Sequence, residues 1–403
     1  MRKYLCDVIS KNEESLWNLC KFIYDHPELG FHEYRSSDAM INLLRQKNFA
    51  IEEKVGGLDT AFVASCCPYD RKGLQIDILA EYDALGLGDS FGPAYQAVHA
   101  CGHNIIAAAA VGAGIALIKT MKRFHISGTV RVVGTPAEEG GGGKIIMQKH
   151  GVFDRTDAAM MIHPTSGVSK IAGKCCSTVT LKVCYHGLAA HAGNHKEKGI
   201  NAQDAANICY MSIGCLRYQL PASTQVFVQF VHCGEARAII PDLCELNISI
   251  RCLDAGDLEE TIRKVKNCIQ AGALASGCQV EVEESEKYLG RVRNSVLERI
   301  VRKNCELLGE PLMEGMIDDR GGEDFGNLSR VFPGIMFYPS LLPEEKISNH
   351  TPRVYELCAS PKAKEVLLLG SKVLALSALD LLLAPDLLDL ARQELQTRLN
   401  NGE

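Results

Sequence analysis

The fold is most directly indicated by the stretch Gly128-Thr-Val-Arg-Val-Val-Gly-Thr-Pro-Ala-Glu-Glu139, which four glycines and then Lys144-Ile-Ile-Met-Gln148 follow. Its β-branched run at 129–133 predicts a buried strand, and Pro136 with the glycines ends that strand in a loop before a helix. Strand and helix in alternation are typical of α/β proteins, in which helices cover a mostly parallel sheet. Two adjacent carboxylates therefore stand at the carboxyl end of a strand.

Those two carboxylates, Glu138 and Glu139, allow two interpretations. They can be an exposed acidic pair near a helix N-terminus, where negative charge is favourable. Alternatively, one of them holds a cation through a carboxylate oxygen while its neighbour acts as a general base.

A histidine follows the next predicted strand. The run Asp157-Ala-Ala-Met-Met-Ile-His163-Pro164 is apolar until the histidine and is stopped by proline. A histidine of the core would more often lie within such a strand than at its last position. His163 is therefore a candidate metal ligand.

One thiol and two imidazoles lie within five positions in His99-Ala-Cys-Gly-His-Asn104. Cysteine is among the most buried residue types, so Cys101 and His103 can be ordinary core residues. A second interpretation makes Cys101 a nucleophile activated by histidine, although adjacency in sequence is poor evidence for such a pair. The third is metal ligation, which the carboxylates and the histidine at strand ends favour.

Composition excludes several classes of protein. A net charge of −6 offers no basic surface for nucleic acid. The 17 cysteines are an odd number and include adjacent pairs, which predicts no disulfide framework and a reducing, cytoplasmic compartment. The N-terminus lacks the apolar region of a signal peptide. The apolar run at 105–118 is shorter than the roughly 20 residues that span a bilayer, so we expect a buried helix and no membrane association.

The pattern of the chain changes near residue 173. Before it, predicted helices at about 12–24 and 35–47 lead into apolar strands that alternate with helix, as in a mostly parallel sheet covered on both faces. After it, polar and apolar residues alternate in half-buried strands near 177–185 and 244–251. Helices accompany these strands, which predicts a smaller α+β insert. The stretch from Ser360 to Leu399 is again rich in helix formers.

Taken together, these stretches resemble the dinuclear-metal peptidase and amidohydrolase family that includes aminoacylase, glutamate carboxypeptidase and the auxin-conjugate amidohydrolases. The likeness is greatest to its dipeptidases of the β-alanyl-lysine or Xaa-Arg type. The matching motifs run in family order over nearly the whole chain: His26-Pro-Glu-Leu-Gly30, Ala80-Glu-Tyr-Asp-Ala84, His99–Asn104, Gly134-Thr-Pro-Ala-Glu-Glu139, Ile162-His-Pro164, Tyr185-His-Gly-Leu-Ala-Ala-His191, Gly321-Gly-Glu-Asp-Phe-Gly326 and Ser348-Asn-His-Thr351.

The resemblance implies an α/β catalytic domain in two segments, 1–173 and 288–403, interrupted at 174–287 by a smaller α+β domain that serves as lid and homodimer surface. It also implies two divalent metal ions per protomer. Zinc is the favoured metal and manganese or cobalt are alternatives, because thiolate and imidazole suit zinc while carboxylates accept all three. The implied ligands are Cys101, His103, Glu139, His163 and His350.

Catalytic roles are implied in the same way. Glu138 becomes the general base, and Asp83 becomes a carboxylate that orients a ligand. His191 of the lid would reach the active site of the other protomer and help to polarise the scissile carbonyl. Cys101 is then a ligand and not a nucleophile, because a coordinated thiol is deprotonated by the cation.

The expected substrate is a small dipeptide with a basic C-terminal residue, and N-acyl or aminobenzoyl amino acids are the alternative. Arg251 can pair with the substrate carboxylate or be a solvated arginine at a strand end. Relatives commonly have asparagine where Ala238 stands here, so this chain lacks that amide donor. Glu323 can select a basic residue or be a solvated loop charge. A Cys101 thiol hydrolase and a non-catalytic binding protein are further alternatives.

Overall fold

A computed structural model describes residues 1–69, 73–86 and 97–403. These residues form two compact units. Unit 1 consists of Met1–Lys174, Arg291–Asp319 and Asn327–Asn401. Unit 2 consists of Cys175–Gly290, Arg320–Gly326 and the last two residues.

The described residues contain 12 α-helices and 16 strands. The helices are α1 (Arg2–Lys11), α2 (Glu13–Asp25), α3 (Tyr34–Gln46), α4 (His103–Phe124), α5 (Gly143–Lys149), α6 (Ala202–Leu216), α7 (Leu258–Ser276), α8 (Ser295–Leu308), α9 (Phe325–Ser329), α10 (Pro352–Leu357), α11 (Pro361–Leu383) and α12 (Pro385–Asn400). The strands are β1 (Ala50–Glu53), β2 (Phe62–Cys66), β3 (Gln75–Ala80), β4 (Thr129–Gly134), β5 (Ala158–Ile162), β6 (Thr165–Ser166), β7 (Lys170–Ala172), β8 (Ser177–His186), β9 (Ala190–His191), β10 (Thr224–Cys233), β11 (Ile239–Ile240), β12 (Leu243–Cys252), β13 (Gln279–Glu284), β14 (Met316–Ile317), β15 (Gly334–Tyr338) and β16 (Ser340–Leu342).

The large sheet of unit 1 has the strand order β1-β2-β4-β3-β5-β15-β7-β14. Its four central strands, β4, β3, β5 and β15, pair with one another in parallel. The pairs β1–β2, β2–β4 and β15–β7 are antiparallel. All five residues of β5 are buried, as are five of the six in β3, which explains why these strands are nearly continuous apolar runs. The predicted α/β class with a mostly parallel central sheet is confirmed.

Helix α4 packs closely against the sheet because it contains glycine where its neighbours approach. A Cβ at Gly114 would lie 2.4 Å from Val132 of β4, and one at Gly112 would lie 2.6 Å from the Ser371 hydroxyl of α11. The helix extends beyond the apolar run at 105–118 on both sides. Among the described helices, α4 and α11 are long and apolar enough to cross a membrane. In their most apolar 18-residue stretches, however, 94% (α4) and 67% (α11) is buried inside the structure, as in core helices.

Unit 2 is built on an antiparallel sheet of order β10-β12-β8-β13. Burial alternates along β8 and β12, as the sequence predicts for half-buried strands. Residues of α6 and α7 pack with the inner face of this sheet in one apolar core. Cys233 and Cys244 form a disulfide between β10 and β12, and the other 15 cysteines form no disulfide in the structure.

The limits of the two units do not coincide with those of the predicted domains. The prediction places the domain limits at 173/174 and 287/288, whereas the limits between the units lie at 174/175 and 290/291. Residues 320–326, which the prediction places in the second catalytic segment, group with unit 2 instead. The reason is local contact: Cys176 N donates to the Gly321 carbonyl over 2.9 Å, and a Cβ at Gly322 would lie 2.5 Å from Thr178.

Candidate functional site

The carboxyl ends of three parallel strands of unit 1 meet at one edge of the sheet. Glu81 and Asp83 follow β3, Glu138 and Glu139 follow β4, and His163 follows β5. In open α/β sheets this edge is where ligands bind. The parallel pairing of β3 with both β4 and β5 thus brings together residues that are distant in sequence.

The predicted metal ligands converge at this edge. Their donor atoms form overlapping groups in which all atoms lie within 4.8 Å of one another; the groups are Cys101 with His103 and His163, Cys101 with Glu139 and His350, and His103 with Glu138 and Glu139. Cys101 Sγ lies 3.2 Å from His163 Nε2. Glu139 Oε1 lies 3.5 Å from His350 Nε2 and 3.8 Å from His103 Nε2.

His103 is held in one orientation by Asp83. Its Nδ1 lies 2.9 Å from Asp83 Oδ1, while the other Asp83 oxygen accepts a hydrogen bond from Glu139 N. Burial favours the neutral imidazole, but Asp83 and the other carboxylates outweigh it and raise the pKa of His103 to about 10. Because Nδ1 donates to Asp83, Nε2 is the nitrogen that faces the cluster, as in metal-binding histidines that a carboxylate supports.

Buried polar atoms without a hydrogen-bond partner mark the centre of this cluster. They include His103 Nε2, Glu139 Oε1 and Glu81 Oε2. Buried polar groups are ordinarily paired, and leaving them unpaired is costly. A cation among these atoms would satisfy them, and a donor set of thiolate, imidazole and carboxylate suits zinc and also other divalent ions. The site therefore fits the implied metals.

The environment of Cys101 does not favour a free nucleophilic thiolate. Burial, followed by the charges of Glu139 and Glu138, raises the pKa of this thiol well above its usual value. Burial also lowers the pKa of His163, whose Nδ1 donates to the Pro164 carbonyl. A catalytic cysteine instead needs a lowered pKa and a cationic partner. Cys101 is better suited to bind a cation that removes its proton.

Glu33, which no sequence motif singled out, supports the loop that carries the predicted general base. Glu33 Oε1 accepts hydrogen bonds from Phe31 N at 3.0 Å and Ala137 N at 2.9 Å, and its Oε2 accepts one from the Thr60 hydroxyl at 2.7 Å. Ala137, next to Glu138, has a left-handed backbone with φ +57°. The motif at 26–30 pointed to this region, but no local pattern indicated a contact with residue 137.

The remaining predicted residues, His191, Arg251 and Glu323, lie in unit 2. His191 is exposed, and its Nδ1 accepts hydrogen bonds from the backbone of Gly193 and Asn194, both at 3.1 Å. The proton is therefore on Nε2, which can donate to a ligand.

Arg251 lies on β12 beside an aromatic ring. Its guanidinium carbon is 5.9 Å from the centre of the Phe227 ring, a cation–π arrangement. Its Nε is buried and has no hydrogen-bond partner. Ala238 has no side-chain donor, and its carbonyl accepts a hydrogen bond from Ala192 N. Glu323 lies just before α9, where its carbonyl accepts a hydrogen bond from Gly326 N.

The sequence profile of Peptidase family M20/M25/M40 matches residues 78–376. The chain belongs to this peptidase family. It is 32% identical to the Xaa-Arg dipeptidase of Mus musculus over 421 residues, which cover all of this chain and 94% of the relative. It is 28% identical to a component of the p-aminobenzoyl-glutamate hydrolase of Escherichia coli K12, over 77% of this chain and 66% of the relative.

Solved structures share the fold of this M20 peptidase. A dinuclear metal-binding peptidase of family M20 from Bacillus subtilis superposes with a TM-score of 0.71 at 22% identity, covering 93% of this chain and 99% of that one. The predicted family and enzyme class are confirmed: the M20 peptidase is a metal-dependent hydrolase of peptide or amide bonds. The roles of its individual site residues stay predictions.

Proposed function

We propose that this M20 peptidase hydrolyses small dipeptides whose C-terminal residue is basic, such as Lys, Orn or Arg. The observation that carries the proposal is the similarity to proteins named Xaa-Arg dipeptidase in mouse and human, at 32% identity over 98% or more of this chain. The predicted ligands and the predicted base of this chain also converge at one edge of the unit 1 sheet.

We propose that two divalent ions, zinc or alternatively manganese or cobalt, occupy the cluster at this edge. Cys101, His103, Glu139, His163 and His350 would hold them. Such ions supply Lewis-acid polarisation of the amide carbonyl and lower the pKa of water. A carboxylate near the pair would complete the chemistry as a general base.

Glu138 is the proposed general base. Its Oε2 lies 4.0 Å from His103 Nε2, so it borders the cluster without belonging to its tightest contacts. Glu138 would take a proton from the attacking water and pass it to the leaving amine, so that one carboxyl group serves both halves of the reaction. Asp83 would support the reaction indirectly, because its carboxylate accepts hydrogen bonds from both His103 Nδ1 and the backbone N of Glu139.

Substrate recognition is assigned to residues of unit 2. Arg251 is proposed to bind the substrate carboxylate, because its guanidinium offers a buried Nε that has no hydrogen-bond partner. His191 is proposed to donate from Nε2 to the scissile carbonyl of a substrate in the other protomer. Glu323 is proposed to select a basic side chain by charge.

N-Acyl or aminobenzoyl amino acids are the second candidate substrates. The similarity to the p-aminobenzoyl-glutamate hydrolase component favours them. The same site would serve, because the bond cleaved is again an amide. A thiol hydrolase is disfavoured by the raised pKa of Cys101. A non-catalytic binding protein is disfavoured because every proposed ligand and the base are present.

A homodimer through unit 2 is also proposed. Strand β10 is at one edge of its sheet, and it exposes Phe227 and Val231 by 52% and 53%. Tyr210 and Met211 of α6 are exposed as well. An exposed apolar edge strand is a surface that a second chain can cover. We further propose a cytoplasmic location, which the 15 cysteines outside the disulfide support.

The proposed function is tested with purified protein that has been freed of metal by a chelator and then reloaded with zinc, manganese or cobalt. The substrate panel contains β-alanyl-lysine, Xaa-Arg and Xaa-Orn dipeptides, N-acetyl amino acids and aminobenzoyl-glutamate. We expect no turnover without metal and the highest kcat/KM on dipeptides with a basic C-terminus. A preference for aminobenzoyl-glutamate would support the second candidate, and no turnover of any amide would refute both.

A further inference from the structure

A buried ion pair lies beside the cluster and is not part of the proposed ligand set. Lys144 of α5 donates from Nζ to Glu81 Oε1 over 2.6 Å. The exposed fraction is 0% for Lys144 and 1% for Glu81. Lysine and glutamate are almost never buried to this extent unless they are paired, and a buried pair must recover a large desolvation cost.

The second oxygen of Glu81 is not used by this pair. Glu81 Oε2 has no hydrogen-bond partner, although it is buried. It lies 3.5 Å from His103 Nε2, which is buried and unpartnered as well. No hydrogen bond joins the two atoms, so each is left unsatisfied beside the other.

The distances single out Glu81 among the acids that surround His103 Nε2. Glu139 Oε1 is 3.8 Å away and Glu138 Oε2 is 4.0 Å away, so Glu81 Oε2 is closer than either. Two ligand atoms that share a tetrahedral ion at 2.0–2.2 Å lie roughly 3.3–3.6 Å apart. The separation between Glu81 and His103 falls within that range.

We propose that Glu81 is a further metal ligand, which offers Oε2 to the cation bound by His103 Nε2. Lys144 is then a positioning residue: it occupies Oε1 and thereby leaves one Glu81 oxygen for the metal. It also offsets part of the negative charge that Glu81, Asp83, Glu138 and Glu139 place at one edge of the sheet. This inference rests on the proposed metal site.

The experiment measures metal binding and not turnover. Metal-free wild-type protein and Glu81→Gln are titrated with Co²⁺, whose visible spectrum reports the ligands, and dissociation constants are obtained by competition with a chelator. Gln keeps the size of Glu and can still accept from Lys144, but it offers no carboxylate oxygen. We expect one of two Co²⁺ sites to weaken by at least 10–100-fold, the range known for residues that support a ligand, with a changed spectrum.

Asp77→Asn is the matched control. Asp77 lies on β3, is fully buried and is paired with Arg131 in the same way, but it is not near the cluster's unpartnered atoms. We expect this variant to lose stability and to bind Co²⁺ as the wild type does. If it weakened Co²⁺ as much as Glu81→Gln, the effect would be one of general destabilisation and the inference would be wrong.

A double variant keeps the test decisive if Glu81→Gln fails to fold. Glu81→Met with Lys144→Met removes the carboxylate without leaving a buried charge unpaired, a replacement that proteins often tolerate. Loss of the same Co²⁺ site would support the inference. Unchanged binding of two ions by either folded variant would make Glu81 only the counter-ion of Lys144. Failure of the wild type itself to bind Co²⁺ would instead refute the proposed metal site, and the inference with it.

Discussion

At the scale of single residues, the two adjacent carboxylates of the β4 loop have different surroundings. Glu139 Oε1 is buried without a hydrogen-bond partner and faces His103 and His350. Glu138 Oε2 is farther away, at 4.0 Å from His103 Nε2, and Glu138 is the proposed general base. The sequence predicted a division of labour within such a pair, and the two roles stay predictions that variants of each residue can test.

Glu138→Gln should separate catalysis from metal binding. We expect kcat to fall by about 10²–10⁴-fold, because the amide cannot accept a proton, while the metal content stays that of the wild type. Steady-state kinetics on a cleaved dipeptide and elemental analysis are the measurements. Glu139→Gln is the comparison and should lose bound metal. Equal metal loss in both variants would contradict the proposed roles.

Glu33 should make stability depend on pH. Burial raises its pKa from 4.5 to about 7, against the opposing hydrogen bond of Thr60. Because the folded pKa lies above the unfolded one, the associated stability is present below pH 4.5 and is lost as the pH rises through about 7. The loss is about 3 kcal/mol.

Glu33→Gln removes this titration and provides the reference. We expect the free energy of unfolding of the metal-free wild type, from urea denaturation, to fall relative to that of the variant as pH rises from 4.5 to about 7. Other groups titrate alike in both proteins and cancel in the difference. A difference that is constant with pH would show that burial does not perturb Glu33.

At the scale of elements, the segment before α3 supports the loop after β4. Glu33 binds the backbone of Ala137, and Gly30 lies against the same residue: an added Cβ would be 2.9 Å from Ala137 Cβ. The backbone of Gly30 does not have a positive φ, so other residues could adopt its conformation. The close approach of Ala137 is therefore the reason why a larger residue would not fit. The two segments therefore position Glu138 together.

Gly30→Ala should displace this loop. We expect kcat to fall on the order of tenfold, since small misplacements of catalytic groups are costly, and stability to fall by about 1–3 kcal/mol through overpacking. Gly214→Ala in α6 is the control, because a Cβ there meets nothing within 4 Å. It should stabilise the helix by about 0.5–1 kcal/mol without changing kcat. Unchanged kcat in Gly30→Ala would mean that the contact with Ala137 does not position the base.

At the scale of the whole molecule, the apolar surface at β10 predicts self-association. Val231→Lys places a charge on the edge strand, which should prevent a second chain from covering it. We expect a wild-type dimer and a monomeric variant in sedimentation velocity. Leu274→Lys on α7, where the wild-type side chain is 83% exposed, is the matched control and should stay dimeric. A monomeric wild type, or a dimeric Val231→Lys, would exclude this surface.

Much of the fold could be predicted because local patterns encode it. The β-branched run before Glu138 became β4, and the alternating residues of β8 and β12 became half-buried strands. The placement of residues 320–326 could not be predicted, because it depends on the close contact of Gly322 with Thr178. The antiparallel pairs flanking the central parallel strands also depend on strand order, which hydrophobic periodicity does not contain.

The sequence by itself determined the elements, the donor types and their positions at strand ends, because periodicity, helix breakers and side-chain chemistry are local properties. The resemblance to a known family named the five proposed ligands and Glu138, His350 on that ground alone, and the structure brings them together. Only the tertiary structure decided which other groups meet them. Lys144 and Glu81 are 63 positions apart, and Glu33 and Ala137 are 104 apart. Such contacts arise from strand order, register and packing, so the buried oxygen of Glu81 beside His103 is visible only once the sheet has formed.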